Sequence, residues 1–383
     1  MRNIVIGIGV GAVIGIVLGA TVIAPRMEQQ QAATSESEAT AEEPRDAAAD
    51  AARRLLTNPI DEPAVRLKMA SAFGAGTPIV GTLATRVETE TWRVSGGDVE
   101  IAFHEPGALV PVGEMLDAVA AGSVDAAFSS PGFWSDEVPA LALFAAVPFG
   151  PGTEEYLAWF YFGGGRELFE DIYDERGVHG LICGASAPEA SGWFRREIKT
   201  IDDLKGLKMR VFGLAGKVLS RFGVETRSLT EGDIFVALES GDIDAAEYSL
   251  PAVDLKLGFQ ALARHYYFPG WHQPASLFEL IINREKRDAL SSTQKAQIEA
   301  VCGDNVRHGL AESEATQFAA LKTLYSEGVQ LHRWPTGILE ALEKSWADVA
   351  NEEAGADTGF RRVWRSLKTF RADYAIWREL SRL

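Results

Sequence analysis

The sequence predicts an α/β protein of two lobes with a ligand cleft between them, and three observations lead there. The chain has 383 residues, more than one core usually holds at roughly 150 residues per domain. Strand-like runs alternate with helical patterns along most of its length. A supersecondary unit also recurs, because residues 116–130 and 235–249 align without gaps and share Ala, Gly, Asp-Ala-Ala and a final Ser. In each copy an amphipathic helix ends at a glycine suited to the left-handed position after a helix, Gly122 or Gly241, and a short strand follows. Ligands of open parallel sheets bind at the carboxyl ends of strands, so residues 128–130 and 247–249 are expected to form facing walls of one cleft.

The first segment sets the compartment. After Met1-Arg2-Asn3 an uncharged run covers residues 4–24, long enough at ~1.5 Å per residue to cross a hydrocarbon core of about 30 Å. Segment 1–26 is therefore a membrane anchor or a signal segment. The imperfect small-x-small sites favour an uncleaved anchor, and Arg2 favours a body outside the inner membrane. Residues 27–63 are rich in Ala, Glu, Gln, Ser and Thr and cannot repay the entropy of ordering, so they read as a flexible tether.

Residues 64–383 form the globular part, with lobe 1 mainly 64–185, lobe 2 mainly 186–290 and C-terminal helices at 291–383. Strands are expected at 65–73, 99–103, 178–183, 207–211 and 277–282. Helices are expected at 291–324 and 358–383. The last carries Phe360, Val363, Trp364, Leu367, Phe370, Tyr374 and Trp377 at spacings near three and four, a face that needs covering by both lobes or by a second subunit. A net charge of −17 repels polyanions and excludes nucleic acid as a partner. Cys183 and Cys302 fit no zinc or redox spacing, and the sequence favours two separate buried thiols over a disulfide. There is no nucleophile elbow, His-Glu-x-x-His or phosphate loop to support an exported enzyme, the main rival to a binding protein.

Gly-Trp-Phe-Arg-Arg-Glu-Ile at 192–198, Asp-Asp-Leu-Lys-Gly-Leu-Lys-Met-Arg at 202–210 and Tyr-Tyr-Phe-Pro-Gly-Trp at 266–271 resemble, in the same order, the solute-binding subunits of tripartite ATP-independent periplasmic (TRAP) transporters. The resemblance continues through Gly-Leu-Ala-Gly-Lys-Val-Leu at 213–219 and Ala-Ala-Val-Pro-Phe-Gly at 145–150. It runs from about residue 66 to the C-terminus and is closest to the branch that binds 2-oxo or 2-hydroxy monocarboxylates. It implies the two-lobed fold of periplasmic binding proteins, no enzymatic activity, a TRAP membrane permease as partner, and a homodimer in some members through the C-terminal helix.

The resemblance also implies site residues. Arg210, ending the Leu-Lys-Met-Arg strand, would pair with the ligand carboxylate through two parallel donors. Glu247 and Tyr248 stand where the family usually has Glu-Trp beside a cation, and Glu189 stands where the branch usually has Gln. Glu189, Glu247 and Tyr248 are thus the candidate ligands of a sodium or calcium ion, with no covalent cofactor. His272-Gln273 follows Pro-Gly-Trp271 where Glu is common, so the cleft exchanges an acid and an amide between positions 189 and 273. Phe133 and Trp134 are candidates to stack on the apolar part of the ligand. Trp193 is expected to pack on the hinge side.

Overall fold

The computed structural model describes residues 63–381. The apolar run at 4–24 and the tether up to residue 62 lie outside the described residues, among which no helix is long and apolar enough to cross a membrane.

Strands β1 (Val65–Ser71), β2 (Val99–His104), β3 (Ala126–Ser129), β4 (Val178–Ser186) and β10 (Ser276–Asn283) form a five-stranded sheet in the order β2-β1-β3-β10-β4. Strands β5 (Gly192–Phe194), β6 (Lys208–Arg210), β7 (Glu225–Arg227), β8 (Ala245–Ala246), β9 (His265–Phe268) and β11 (Gln330–Arg333) form a six-stranded sheet in the order β11-β9-β5-β8-β6-β7. These sheets are the cores of the two lobes. Both are mixed rather than purely parallel, since β10 runs antiparallel to β3 and β4, and β5 runs antiparallel to β8 and β9. Although β10 lies within the span read as lobe 2, it pairs in the first sheet, while β11 joins the second from beyond it.

The repeated units occupy equivalent places. Gly122 (φ 72°) and Gly241 (φ 81°) adopt the left-handed conformation after their helices, which an L side chain would resist. Strand β3 lies between β1 and β10, and β8 lies between β5 and β6. Strand β4 is buried along its whole length, under the helices Gly165–Asp174 and Ser292–Ser326. That coverage explains its run of small and apolar residues, interrupted only by His179.

Helix Ser292–Ser326 begins with a capping box made by Ser291 and Gln294 and packs on β4 as well as on helix Pro251–Leu257 of the second lobe. Helix Thr336–Ala356 packs on helix Leu214–Ser220, and helix Thr358–Ser381 turns back onto the helices Thr153–Phe162 and Gly165–Asp174 of the first lobe. Its first half is held by buried Phe360, Val363 and Leu367, whereas Ile376, Trp377 and Leu380 near its end are exposed. The expectation of two separate thiols is overturned, because Cys183 on β4 and Cys302 on helix Ser292–Ser326 form a disulfide across 119 residues. The strand buries Cys183 against the very helix face that carries Cys302, a proximity that residue spacing does not encode.

Candidate functional site

The chain passes between the lobes through the segment from β4 to β5, which carries Glu189, and through the segment from β9 to β10, which carries His272 and Gln273. These crossings hydrogen-bond to each other, Glu189 N–H donating to the Gln273 carbonyl at 3.1 Å and Gly270 N–H to the Glu189 carbonyl at 3.0 Å. Beside them is a cavity of about 40 Å³ lined by Phe73, Val80, Ser130, Phe133, Glu189, Arg210, Phe212, Tyr248, Ser249, Gln273, Ser276 and Phe278. The first lobe gives it mainly aromatic walls, and the second gives it Arg210 and Tyr248.

Arg210 is 4% exposed. Its Nη1 donates to the Glu247 carbonyl at 2.5 Å and to Glu247 Oε1 at 3.0 Å, and its Nε donates to the Leu229 carbonyl at 3.3 Å. Among the described residues Nη2 has no partner and is the donor left for an anion. The guanidinium also lies 5.1 Å from the Tyr248 ring centre, which positions it further. Glu247 receives the Phe212 N–H and lies 3.2 Å from His272 Nε2. Burial would raise its carboxyl, but Arg210, His272 and the Phe212 N–H outweigh that and hold it below the usual range.

Glu189 is in the opposite condition. Its Oε1 accepts from Ser276 Oγ at 2.8 Å, and Ser276 Oγ accepts in turn from Gln273 Nε2 at 2.9 Å. Glu189 Oε2 and Gln273 Oε1 are buried with no hydrogen-bond partner among the described residues. Burial, reinforced by the charge of Glu247, pushes the Glu189 carboxyl well up. One ligand atom each from Glu189, Glu247 and His272 lie within 4.8 Å of one another. Orphaned acceptors next to two acids are a donor set that a cation satisfies.

Residues 69–354 match the model of the bacterial extracellular solute-binding proteins, family 7. The chain belongs to that family. It is 35% identical over 324 residues, 84% of this chain and 88% of the other, to a monocarboxylate 2-oxoacid-binding periplasmic protein of a Nostoc species. Three solved TRAP-transporter solute-binding proteins share the fold. One from Bordetella bronchiseptica, a dimer with calcium and picolinate in one site, is 30% identical with a TM-score of 0.80 over 83% of this chain and 95% of its own. One from Pseudoalteromonas atlantica with sodium and pyruvate is 29% identical, TM-score 0.79, over 82% and 96%. One from Colwellia psychrerythraea with calcium and pyruvate is 29% identical, TM-score 0.78, over 83% and 97%.

Of the residues singled out from the receptor's sequence, Arg210, Glu189, Tyr248, Gln273 and Phe133 line the cavity, and Glu247 stands behind Arg210. Trp134 does not reach it, since its indole N–H donates to buried Glu279 at 2.7 Å. The Tyr248 hydroxyl donates to Glu231 Oε2 at 2.6 Å, and the other Glu231 oxygen accepts from Thr77 of the first lobe at 2.7 Å. The Tyr248 hydroxyl therefore serves a tie between lobes. Trp193 is structural, stacked on Tyr266 at 3.9 Å and donating to Asp254 at 2.9 Å. Sequence reasoning placed Ser130 and Ser249 on facing walls and both line the cavity, but it missed Phe73, Val80, Phe212, Ser276 and Phe278. Phe212, two residues beyond Arg210, and Phe73, at the carboxyl end of the expected strand 65–73, had a local signal.

Proposed function

We propose that this family 7 receptor captures a 2-oxo or 2-hydroxy monocarboxylate together with a sodium or calcium ion and passes it, chemically unchanged, to a TRAP membrane permease. The observation that carries this reading is that buried Arg210, with Nη2 left unpartnered, lines one cavity together with Glu189 and Gln273, whose Oε2 and Oε1 are orphaned. A carboxylate fits the guanidinium, and a cation fits the acceptors. Glu189, Glu247 and the Tyr248 carbonyl would hold the ion, with His272 as a nitrogen donor beside them. It would bring the positive charge that lets two buried acids stay ionised next to an anionic ligand. The cation-loaded pyruvate complexes of the Pseudoalteromonas and Colwellia proteins support the same pairing. Closure of the lobes over the ligand is aided by the Thr77–Glu231–Tyr248 tie.

Isothermal titration of the purified protein with pyruvate and lactate, with and without sodium or calcium, tests this. Cation-dependent heat is expected, with loss of about a hundredfold or more in affinity for Arg210→Lys, which keeps the charge but not the planar donors. Binding indifferent to both changes would refute the clamp, and ligand recovered chemically altered would refute the transport role.

The apolar run at residues 4–24 supports a receptor held uncleaved at the periplasmic face of the inner membrane; a mature chain starting beyond residue 24 by mass spectrometry would refute it. Exposed Ile376, Trp377 and Leu380, at 65%, 63% and 80%, support a homodimer through the last helix, which sedimentation of the purified protein would read directly.

A further inference from the structure

A second cavity of about 370 Å³ adjoins the site, lined in part by Gly132, Phe133, Phe212, Lys217, Arg227 and Glu353. It is the larger of the two, yet it contains neither Arg210 nor Glu189, and Lys217 is paired to Glu353 at 2.7 Å. What separates it from the small cavity is a pair of aromatic rings, because Phe133 and Phe212 line both spaces. Phe133 comes from the first lobe and Phe212 from the second, and their rings meet edge to face with centres 5.2 Å apart. The Phe212 ring is seated against Gly132, where a Cβ would lie 2.6 Å from Phe212 Cζ and 3.0 Å from the Ala145 Cβ. Position 132 thus admits no side chain while Phe212 keeps this place.

Away from that partition the inner space is walled by Phe73, Phe278 and Val80, with Phe73 against Phe278 at 5.7 Å and against Phe133 at 6.1 Å. Its volume of about 40 Å³ is room for about three or four water-sized groups. A space this small favours the shortest 2-oxo acid over any longer one.

We infer that Phe133 and Phe212 form a partition that favours three-carbon acids over longer ones in this receptor, with the Phe212 ring, seated on Gly132, as the chain-length determinant. This rests on the reading of the site as a 2-oxo acid clamp. A longer tail directed at this partition must displace a ring from a packed aromatic contact, and each added methylene in an apolar site changes discrimination by about tenfold or more. Removing the Phe212 side chain joins the two cavities and gives such a tail somewhere to go. Its backbone N–H, which serves Glu247, is untouched by that change.

The test is titration of the full chain with pyruvate, 2-oxobutanoate and 2-oxohexanoate at saturating sodium or calcium, for the natural protein, Phe212→Ala and Phe133→Leu. The natural protein is expected to bind pyruvate at least about tenfold more tightly than 2-oxohexanoate, and Phe212→Ala to move that ratio at least about tenfold toward the longer acid. A natural protein that binds both equally, or a folded Phe212→Ala with an unchanged ratio, overturns the partition and leaves the receptor reading standing. If Phe212→Ala does not fold, Phe133→Leu is judged by the same ratio. A natural protein that binds none of the three acids overturns both readings.

Discussion

Glu279 and Glu189 are both buried, at 0% and 5% exposure, yet they live in opposite circumstances. Glu279 sits in the middle of β10, and both of its oxygens are satisfied by Ser129, Trp134 and Tyr173. Glu189 sits on a crossing between the lobes with one donor, Ser276, and one oxygen without a partner. The first is a closed polar network inside one lobe; the second is an open set of acceptors where the lobes meet. The difference teaches that burial of an acid does not by itself mark a functional site, whereas a buried acid left unsatisfied on a crossing between the lobes is the better candidate for one.

Three changes sharpen that contrast. The largest effect is expected from Glu279→Leu, which leaves the Trp134 indole, the Tyr173 hydroxyl and the Ser129 hydroxyl without their acceptor. It should lower stability by about 3 kcal/mol or more, read by chemical denaturation, while the protein that remains folded binds ligand normally. Loss of binding in the folded fraction would place Glu279 in the site after all.

The second effect is one of pH. Burial raises Glu279 from its ordinary value of 4.5 to about 7, against the lowering influence of Tyr173, Trp134 and Ser129, and burial likewise raises Asp254 from 3.8 to about 7. The folded state thus holds protons that the unfolded chain has already released. Stability should fall as pH rises from about 4.5 toward 7, by up to about 3 kcal/mol for Glu279. Glu279→Gln should flatten part of this slope and leave the share of Asp254. A slope that the variant does not alter would show that Glu279 is already ionised through that range.

The smallest effect on stability is expected from Glu189→Gln, which replaces an unsatisfied acid with a neutral group of the same shape. Denaturation should shift by less than about 1 kcal/mol, in either direction. Ligand titration, by contrast, should show weaker cation dependence, because one of the two acids of the cluster is gone. A large loss of stability with unchanged cation dependence would make Glu189 the structural acid and erase the comparison.

What the sequence determined by itself was local. The period of the β-strand and helix patterns, the glycine stops and the repeated helix-Gly-strand unit placed β1, β2, β4, β6 and β10, the helices Ser292–Ser326 and Thr358–Ser381, and the strand ends that carry Arg210, Ser130 and residues 247–249. These follow from interactions within a few residues, which composition and spacing record directly. The side chains singled out at positions 189 and 273 do meet, at Ser276. Only the tertiary structure decided which distant groups share a volume. It joined Cys183 to Cys302 across 119 residues, brought Ser276 to Glu189 across 87, turned Trp134 away to Glu279, and set Phe133 of one lobe against Phe212 of the other. Such contacts depend on how two sheets and their crossings pack, and no periodicity along the chain carries that information.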